Sequence, residues 1–334
     1  MIAADNPPTP DGAVLLEVQD LSTCFETGRG PCPAVDNVSF RVHEGECLGI
    51  VGESGCGKTV TCLSILGLID YPGRITSGQI LFHGQDLRKL PERTLREVRG
   101  AKISMVFQDP QTALNPVLSI GAQMFDVIRT HEHCGQRHAQ EIAEEKLRAV
   151  GITDARARLA AFPFELSGGL RQRVTIAMAL SCNPELLIAD EPTTSLDVSI
   201  QAQILDLIQE LRHTFDLAII YVSHDLGVIA NIAESILVMY AGRTVEHGPI
   251  SAIMKSPAHP YTRALIESIP TLRSDHRKAR LHVIRGSRPD LGDLPPGCAF
   301  SPRCERALPI CTTDRPEFLV IGPDRSCACH NIYR

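Results

Sequence analysis

The chain has 334 residues, of which 43% are hydrophobic and 22% are charged, and its formal net charge is −6. This composition is typical of a soluble globular protein with one large core and a smaller second unit. The net negative charge and the lack of a long Lys/Arg run argue against electrostatic binding of nucleic acid. No stretch reaches the roughly 18 consecutive apolar residues of a membrane-spanning helix. Residues 1–13 lack the basic start and apolar run of a signal peptide, so we expect a disordered lead-in and a cytosolic chain whose twelve cysteines are thiols or ligands.

In chain order, the hydrophobic pattern predicts strands at AVLLEVQDLSTCF, at SFRVHEGECLGIV with a turn at Glu44-Gly45, and at ILFHGQDL. Helical periodicity follows from about residue 120 to 161. LLIADEP and AIIYVSHD are apolar runs that end in polar residues, as buried parallel strands do, and an amphipathic helix lies between them. This order predicts an α/β fold with a parallel sheet. After about Ser268 the periodicity weakens, so we place a domain boundary there.

The segment Gly52–Thr59, GESGCGKT, matches the phosphate-loop pattern G-x-x-x-x-G-K-S/T. A predicted strand precedes it and a predicted helix follows, which is the context that the pattern requires. The loop N–H groups and the helix N-terminus are expected to bind phosphates, with Lys58 at the β- and γ-phosphates and Thr59 on Mg²⁺. A chance match in a glycine-rich turn is the alternative, and the flanking elements disfavour it. Cys56 is more simply a small side chain that fits the loop than a redox switch.

Asp190 and Glu191 stand at the end of the apolar run LLIADEP. An aspartate at such a strand end can hold Mg²⁺, and the adjacent glutamate can orient a water molecule for in-line attack on a γ-phosphate. Taken alone, the two acids would more simply cap the following helix. The phosphate loop in the same chain favours the catalytic interpretation.

A second anion site is predicted where Ser167, Gly168 and Gly169 begin a helix. Because the first loop already binds the chain's own ATP, this segment is expected to bind the γ-phosphate of an ATP held by another subunit. A helix cap alone is the alternative, and it would need no second glycine.

The chain resembles the ATP-binding-cassette ATPases. Its matches to the family motifs stand in family order over about residues 15 to 265: Walker A at Gly52–Thr59, the Q-loop at Gln108, the signature at Leu166–Gly169, Walker B at Leu186–Glu191, the D-loop at Ser195–Asp197 and the switch histidine at His224. Leu170 departs from the signature, where Gln is common, but the anion-binding residues are intact. The resemblance implies an ABC-type nucleotide-binding domain with a RecA-like parallel sheet, an antiparallel β subdomain and a helical subdomain.

The resemblance also implies that two cassettes face head to tail and enclose two ATP molecules. Gln108 would then sense Mg²⁺ and couple the site to a membrane partner, and His224 would steady the γ-phosphate. Phe25 is a candidate for stacking on adenine, with a place in the core of its strand as an equal alternative. The implied catalytic residues are Lys58, Gln108, Glu191 and His224, and the implied Mg²⁺ ligands are Thr59, Gln108 and Asp190. The implied nucleotide-binding residues are Phe25, Gly52, Glu53, Ser54, Gly55, Cys56, Gly57, Lys58, Thr59, Val60, Ser167, Gly168, Gly169 and Asp197.

Three further stretches are similar to the peptide/nickel group of bacterial importers: DPQTALNPVLSIGAQM after Gln108, SPAHPYTRALIESIP at Ser256–Pro270, and GCAFSPRC in the tail. That similarity implies a second related ATPase as heterodimer partner, two permease subunits and an extracytoplasmic substrate-binding protein. It places the chain at the cytoplasmic face of the inner membrane, with the permease docked around Asp109–Met124. A plain surface loop and helix is the alternative for that stretch.

The tail is rich in cysteine, with Cys298, Cys304, Cys311, Cys327 and Cys329. Their gaps are wider than zinc knuckles use, and disulfides are disfavoured in the cytosol. Four thiolates can hold a 4Fe–4S cluster, and a segment with few large apolar residues would gain order from it. We therefore rank a cluster above zinc, and zinc above free thiols. Similarity to the importer group favours Cys329 over Cys327 as the fourth ligand beside Cys298, Cys304 and Cys311.

The predicted organisation is a lead-in over residues 1–13, an ABC ATPase domain over 14–267 with a helical subdomain at about 109–166, and a cysteine-rich extension over 268–334. The predicted function is the ATP-hydrolysing motor of a bacterial importer, with di- or oligopeptides as the favoured cargo. Nickel or another small solute is the alternative cargo. A soluble regulatory ATPase with a metal-sensing tail is the alternative class.

Overall fold

The computed structural model of the chain describes residues 12–194, 196–269 and 284–333. Its strands are β1 (Val14–Thr27), β2 (Gly30–His43), β3 (Cys47–Val51), β4 (Gly73–Phe82), β5 (Gln85–Asp86), β6 (Ile103–Val106), β7 (Leu186–Asp190), β8 (Ala218–Ser223), β9 (Ser235–Tyr240), β10 (Arg243–Pro249), β11 (Leu319–Gly322) and β12 (Arg325–Cys327). Its α-helices are α1 (Lys58–Ile65), α2 (Glu92–Val98), α3 (Pro110–Ala113), α4 (Ile120–Glu132), α5 (Gln136–Ala149), α6 (Ala155–Ala160), α7 (Gly168–Ala179), α8 (Val198–Phe215), α9 (Leu226–Ile232), α10 (Ile250–Lys255) and α11 (Pro260–Glu267).

The chain divides into two compact units, of which the first comprises residues 1–42, 47–88 and 222–334. Its described residues form one sheet with the order β2-β1-β4-β5 and strands of a second with the order β11-β12-β10-β9-β3. β3 pairs with β9 in parallel, whereas β10 pairs antiparallel with both β9 and β12. All five residues of β3 are buried, because its sequence CLGIV offers no polar side chain to solvent.

The second unit comprises residues 43–46 and 89–221. Its strands follow the order β8-β7-β6, with β6 and β7 parallel, and the last two residues of β8 are assigned to the first unit. Helices α4, α5, α6 and α7 pack against one another. The buried residues of α4 and α5 recur three or four positions apart, which is the apolar stripe that the helical periodicity predicts: Ile120, Met124, Ile128, Ala139, Ala143 and Leu147.

The α/β class, the parallel strands and the helical stretch from residue 120 to 161 are confirmed. The tail contains a hairpin that the sequence pattern did not predict: β11 and β12 pair with each other and extend the sheet from β10. In that hairpin Glu246 of β10 stands opposite Cys327. The pairing of β10 with β12 joins residues about eighty positions apart, so no local sequence pattern predicts it. In the part of the chain that the structure describes, no helix has both the length and the apolar character to cross a membrane.

Candidate functional site

The phosphate-loop candidate Gly52–Thr59 connects β3 to α1, as its sequence context predicts. Gly57 has a φ of 103°, a backbone conformation that side chains rarely allow, and it directly precedes α1. A Cβ atom at Gly57 would lie 2.4 Å from the carbonyl oxygen of Ala34. A Cβ atom at Gly52 would lie 2.2 Å from the carbonyl oxygen of Met239. The curl of the loop therefore depends on glycine at both positions.

Lys58 is 4% exposed and lies folded back against the loop. Its Nζ donates hydrogen bonds to the carbonyl oxygens of Gly52 at 2.8 Å and Glu53 at 3.3 Å. These contacts hold a cation at the loop, where an anion would be bound. The exposed members of the loop are Ser54, Gly55 and Thr59.

Cys56 fills space inside the loop. Its side chain is 5% exposed, and burial raises the pKa of the thiol, while the Lys58 charge acts in the opposite direction. The Cys56 N–H donates to the Glu53 carbonyl, and its own carbonyl accepts from Gly242 N–H. A buried, protonated thiol with both backbone groups bonded suits a small space-filling side chain. Val60 follows in the first turn of α1 and is half-buried.

His224 and Phe25 are the other residues of the first unit that are predicted for the nucleotide site. His224 is exposed, between β8 and α9, next to Asp225, whose side chain caps α9 by accepting from Gly227 N–H at 2.8 Å. Phe25 lies in β1, half-buried, with its ring against Gly73. Phe25 thus combines a place in a strand with a partly exposed ring.

The carboxylate candidates Asp190 and Glu191 lie at and just after the end of β7. Asp190 is 1% exposed and Glu191 is 8% exposed. Glu191 has a φ of 46°, an uncommon conformation for a residue with a side chain and one that functional sites often hold. Its Oε2 accepts from Gln108 Nε2 at 3.1 Å and from Thr194 Oγ1 at 2.9 Å. The structure thus brings Gln108 to Glu191 across 83 positions of sequence.

The signature candidate forms the start of α7, where Ser167 is the N-cap. Ser167 Oγ accepts from Leu170 N–H at 3.4 Å, and Ser167 and Gly168 are exposed. A Cβ atom at Gly169 would meet Ile200 at 3.0 Å. The second glycine thus allows α7 to pack closely against Ile200.

Asp197 caps α8. Its Oδ1 accepts from the N–H groups of Ser199 at 3.1 Å and Ile200 at 3.0 Å, and from Ser199 Oγ at 2.6 Å. The Ser199 hydroxyl and these N–H groups lower the pKa of the carboxyl. Asp197 thus stabilises the start of α8, a role that its assignment to the D-loop did not include. Ser195, also assigned to that loop, lies outside the described residues.

None of the twelve cysteines is in a disulfide. One narrow cavity of the first unit is lined by the four predicted cluster ligands, Cys298, Cys304, Cys311 and Cys329. Burial raises the pKa of Cys329 to about 11, and the other three thiols act in the same direction. Cys327 lies on β12 opposite Glu246, and burial raises its pKa as well.

Two of these sulfur atoms accept backbone hydrogen bonds. Leu308 N–H donates to Cys311 Sγ at 3.4 Å, and Asn331 N–H donates to Cys329 Sγ at 3.3 Å. Across residues 12–194, 196–269 and 284–333, however, no three His, Cys, Asp or Glu side chains are grouped so that they could hold a metal ion. The four cysteines thus share one cavity, but the described residues show no side-chain grouping that would hold a metal.

Sequence reasoning missed three contacts to the site residues. Thr194 donates to the Glu191 carboxylate, Tyr261 accepts from Glu53 N–H at 2.9 Å, and Arg303 forms an ion pair with Glu53. Tyr261 and Arg303 lie within the stretches AHPYT and SPRC that indicate the transporter group. Neither stretch has a local pattern that points to the phosphate loop, because both contacts span more than two hundred residues.

Comparisons with known proteins agree with these features. The ABC transporter family matches residues 35–194, and the oligopeptide/dipeptide transporter C-terminal region matches residues 245–311. The chain is 45% identical over 316 residues to the dipeptide transport ATP-binding protein DppD of Escherichia coli, covering 95% of this chain and 96% of that protein. It is 47% identical over 316 residues to the oligopeptide transport ATP-binding protein OppD of Salmonella typhimurium, covering 95% and 93%.

Among solved structures, the ATP-binding cassette MJ0796, a dimer in a post-hydrolysis state bound to ADP and Pi, is similar with a TM-score of 0.63. That similarity covers 70% of this chain and 98% of that chain at 26% identity. The family match over residues 35–194 includes the phosphate loop, the signature and the Walker B carboxylates. The chain therefore belongs to the ABC transporter family, as one of its ATP-hydrolysing cassettes.

Proposed function

We propose that the chain is the ATP-hydrolysing motor subunit of an importer for di- or oligopeptides. One observation carries the proposal: a phosphate loop with its lysine in place stands in the same chain as a segment, residues 245–311, that matches the oligopeptide/dipeptide transporter C-terminal region. Relatives that are named for dipeptide and oligopeptide transport align over nearly the whole chain. An isolated cassette match would support an ATPase but not this cargo.

In the proposed first step, the loop Gly52–Thr59 binds the triphosphate through its N–H groups. Lys58 exchanges its contacts to loop carbonyls for the β- and γ-phosphates, and its compact charge offsets theirs. Phe25 stacks on the adenine ring. The loop members Ser54 and Thr59 are exposed and therefore accessible to the nucleotide.

In the proposed second step, Glu191 accepts a proton from the attacking water and His224 steadies the γ-phosphate. Gln108 and Thr194 both donate to Oε2 of Glu191, and these two hydrogen bonds orient the carboxylate for that role. Bound Mg²⁺ supplies positive charge at the β- and γ-phosphates. Its proposed ligands are Thr59, Gln108 and Asp190, whose oxygen atoms suit this hard cation.

A second subunit completes the proposed cycle. The proposed ligands of the γ-phosphate held by a second, related ATPase are Ser167, Gly168 and Gly169. We propose that Asp197 helps to position the interface between the two subunits. The exposure of Ser167 and Gly168 at a helix start supports this role. Closure of the two subunits around ATP is the proposed power stroke.

The proposed membrane partners are two permease subunits and an extracytoplasmic substrate-binding protein. The chain then works at the cytoplasmic face of the inner membrane. Its proposed docking segment is Asp109–Met124, where Val117 is 76% exposed and Leu118 is 44% exposed. Exposed apolar residues of this kind suit a protein interface.

The proposed domains are 1–13, 14–267 with a helical subdomain at about 109–166, and 268–334.

We also propose that Cys298, Cys304, Cys311 and Cys329 hold a 4Fe–4S cluster. The four thiols line one cavity, none is in a disulfide, and two sulfurs accept backbone N–H bonds, as cluster thiolates do. The group would supply cross-links that order the extension, because ATP hydrolysis needs no electron transfer.

Transport is tested in proteoliposomes that contain the chain, its second ATPase and its permeases. With the binding protein outside and ATP inside, labelled dipeptides are expected to accumulate, and Glu191→Gln in this chain is expected to abolish uptake. Uptake of nickel in place of peptides would overturn the cargo assignment. ATP hydrolysis without copurification of permeases would favour the soluble regulatory ATPase.

The cluster is tested by anaerobic purification with iron and sulfide analysis. About four iron atoms per chain are expected, and Cys329→Ser is expected to lower that content far more than Cys327→Ser. A colourless protein with one zinc ion per chain would contradict the proposal. Equal iron contents in the two serine variants would contradict the choice of Cys329.

A further inference from the structure

The phosphate loop contains an acidic residue, Glu53, in a place built to bind an anion. Its side chain is 20% exposed. An unpaired carboxylate there would repel a triphosphate, and low-dielectric surroundings would strengthen that repulsion. The fold must therefore neutralise Glu53 or direct it away from the nucleotide.

Arg303 of the cysteine-rich extension pairs with this carboxylate. Its Nη1 donates to Glu53 Oε2 at 2.5 Å and its Nη2 donates to Glu53 Oε1 at 3.1 Å, which is a two-pronged contact across 250 positions of sequence. Arg303 directly precedes Cys304, so the contact joins the cysteine-lined cavity to the phosphate loop. Two parallel N–H donors fix both the position and the orientation of a carboxylate.

Arg303 is itself held in place. Its side chain is 5% exposed, its Nε donates to the carbonyl of Arg285 at 2.8 Å, and its Nη1 lies 3.3 Å from Tyr240 Oη. The hydrogen bond to Glu53 raises the pKa of Arg303 above its ordinary value. A guanidinium with this many partners acts as a fixed charge rather than a mobile surface group.

A second anchor holds the backbone of the same residue. The Glu53 N–H donates to Tyr261 Oη at 2.9 Å, and Tyr261 is fully buried. The rings of Tyr240, Tyr261 and Phe300 pack with centroids 4.6 to 5.3 Å apart. Arg288 and Leu291 of the extension also line a cavity beside the loop. The C-terminal part of the chain thus holds both the carboxylate and the N–H of Glu53.

We propose that Arg303 is a positioning residue for ATP binding. It keeps the Glu53 carboxylate neutralised and turned toward the extension, so that the loop presents its N–H groups and Lys58 to the phosphates. The cysteine-rich extension thereby sets the ATP affinity of the motor. This inference rests on the proposed assignment of Gly52–Thr59 as the phosphate loop.

The test is equilibrium titration of the full-length chain with Mg·ATP, together with steady-state ATPase kinetics. Arg303→Gln is expected to raise the dissociation constant and KM about 10-fold, because Glu53 is left unpaired beside the phosphates. The value of kcat is expected to stay within about 2-fold, because Arg303 touches no reacting atom. Arg303→Lys is expected to recover part of the affinity, since it keeps the charge but not the fork.

The double variant Arg303→Gln/Glu53→Gln separates this role from a merely structural one. Removing the unpaired charge is expected to return the dissociation constant to within about 3-fold of wild type. A double variant as weak as the single one would overturn the proposal. The matched control is Arg285→Gln, whose side chain is 85% exposed and which is expected to bind ATP normally.

Two further variants keep the test decisive. If Arg303→Gln does not fold, Tyr261→Phe removes the other anchor without a change of volume and is expected to raise the dissociation constant about 3-fold. Wild-type affinity in Tyr261→Phe and in every folded Arg303 variant would overturn the proposal. Lys58→Ala tests the assignment beneath it: normal ATP binding in that variant would reject the phosphate loop itself, whatever Arg303 does.

Discussion

The phosphate loop and the signature segment both place backbone N–H groups at the start of a helix, yet the chain fixes them differently. Lys58 of the loop is 4% exposed, and backbone carbonyls leave no room for a side chain at Gly52 or Gly57. In the signature, Ser167 and Gly168 are exposed, and Ser167 makes a cap hydrogen bond of 3.4 Å. The difference is consistent with the two proposed roles, ATP binding by the loop within its own chain and completion of the signature site by a second subunit.

The largest expected effect is at Glu191, which lies in the second unit together with the signature and not in the unit of the phosphate loop. Its substitution therefore tests whether turnover can be lost while ATP binding by the loop is retained. Glu191→Gln is expected to lower turnover about 100- to 1000-fold by removing the proton acceptor. Mg·ATP affinity of the isolated chain is expected to stay within about 2-fold, because the phosphate loop is unchanged. ATP titration and steady-state ATPase assays measure the two effects separately.

Glu185→Gln is the control for this variant, since Glu185 stands just before β7 and pairs with Lys102 at the surface. It is expected to hydrolyse ATP at the wild-type rate. A fall in ATP affinity as large as the fall in turnover would show that Glu191 acts in binding and not in the chemical step.

Gly52 tests whether the loop is as fixed as its contacts indicate. In Gly52→Ala the new Cβ atom would lie 2.2 Å from the Met239 carbonyl oxygen, so the loop must shift. We expect a loss of about 1–3 kcal/mol in the free energy of unfolding and about a 10- to 100-fold loss of ATP affinity. Gly28→Ala is the control, because no atom beyond its two chain neighbours lies within 4 Å of the added Cβ. Unchanged affinity in Gly52→Ala would mean that the loop is adaptable.

Ser167 tests whether the signature depends on a second subunit. Ser167→Ala is expected to cost about 1 kcal/mol of unfolding free energy, because α7 loses its cap, and to lower turnover about 10-fold or more. ATP binding by the isolated chain is expected to be unchanged. Urea unfolding, ATP titration and ATPase assays provide the measurements.

Ser119→Ala is the matched control for this variant, since Ser119 caps α4 by accepting from Ala122 N–H at 3.2 Å. It is expected to cost a similar amount of stability with no loss of turnover. If Ser167→Ala and Ser119→Ala lost turnover equally, Ser167 would act only as a helix cap and not in the site that a second subunit completes.

Asp197 gives the smallest expected effect and concerns pH. Its pKa is lowered in the folded chain by Ser199 Oγ and the N–H groups that it accepts from, so the unfolded chain binds its proton first as the pH falls. The stabilisation is therefore present above the ordinary carboxyl pKa of about 4 and is lost below it. Asp197→Asn keeps a capping side chain without the titration, so its urea-unfolding midpoint is expected to fall less steeply below about pH 4. If wild type and Asp197→Asn lost stability equally as the pH falls, the loss would be due to other carboxyl groups.

Sequence alone was sufficient for features that are local. The alternation of β1, the apolar run of β7 and the stripes of α4 and α5 predict these elements, because their burial follows directly from residue spacing. The loop Gly52–Thr59 is predicted as well, since its glycines, lysine and threonine are contiguous and stand between a strand and a helix. The tail hairpin was missed, because a strand that is only three residues long owes its conformation to β10 beside it.

Tertiary structure decided what the site residues touch. Arg303 and Glu53 are 250 positions apart, and only the packing of the extension against the first unit's sheet makes them partners. The same packing places Cys329, and not its near neighbour Cys327, with the other three cysteines of the cavity. Local sequence patterns identified the candidate site residues. Long-range contacts determined which of these residues lie together, and the spacing of residues along the chain does not encode such contacts.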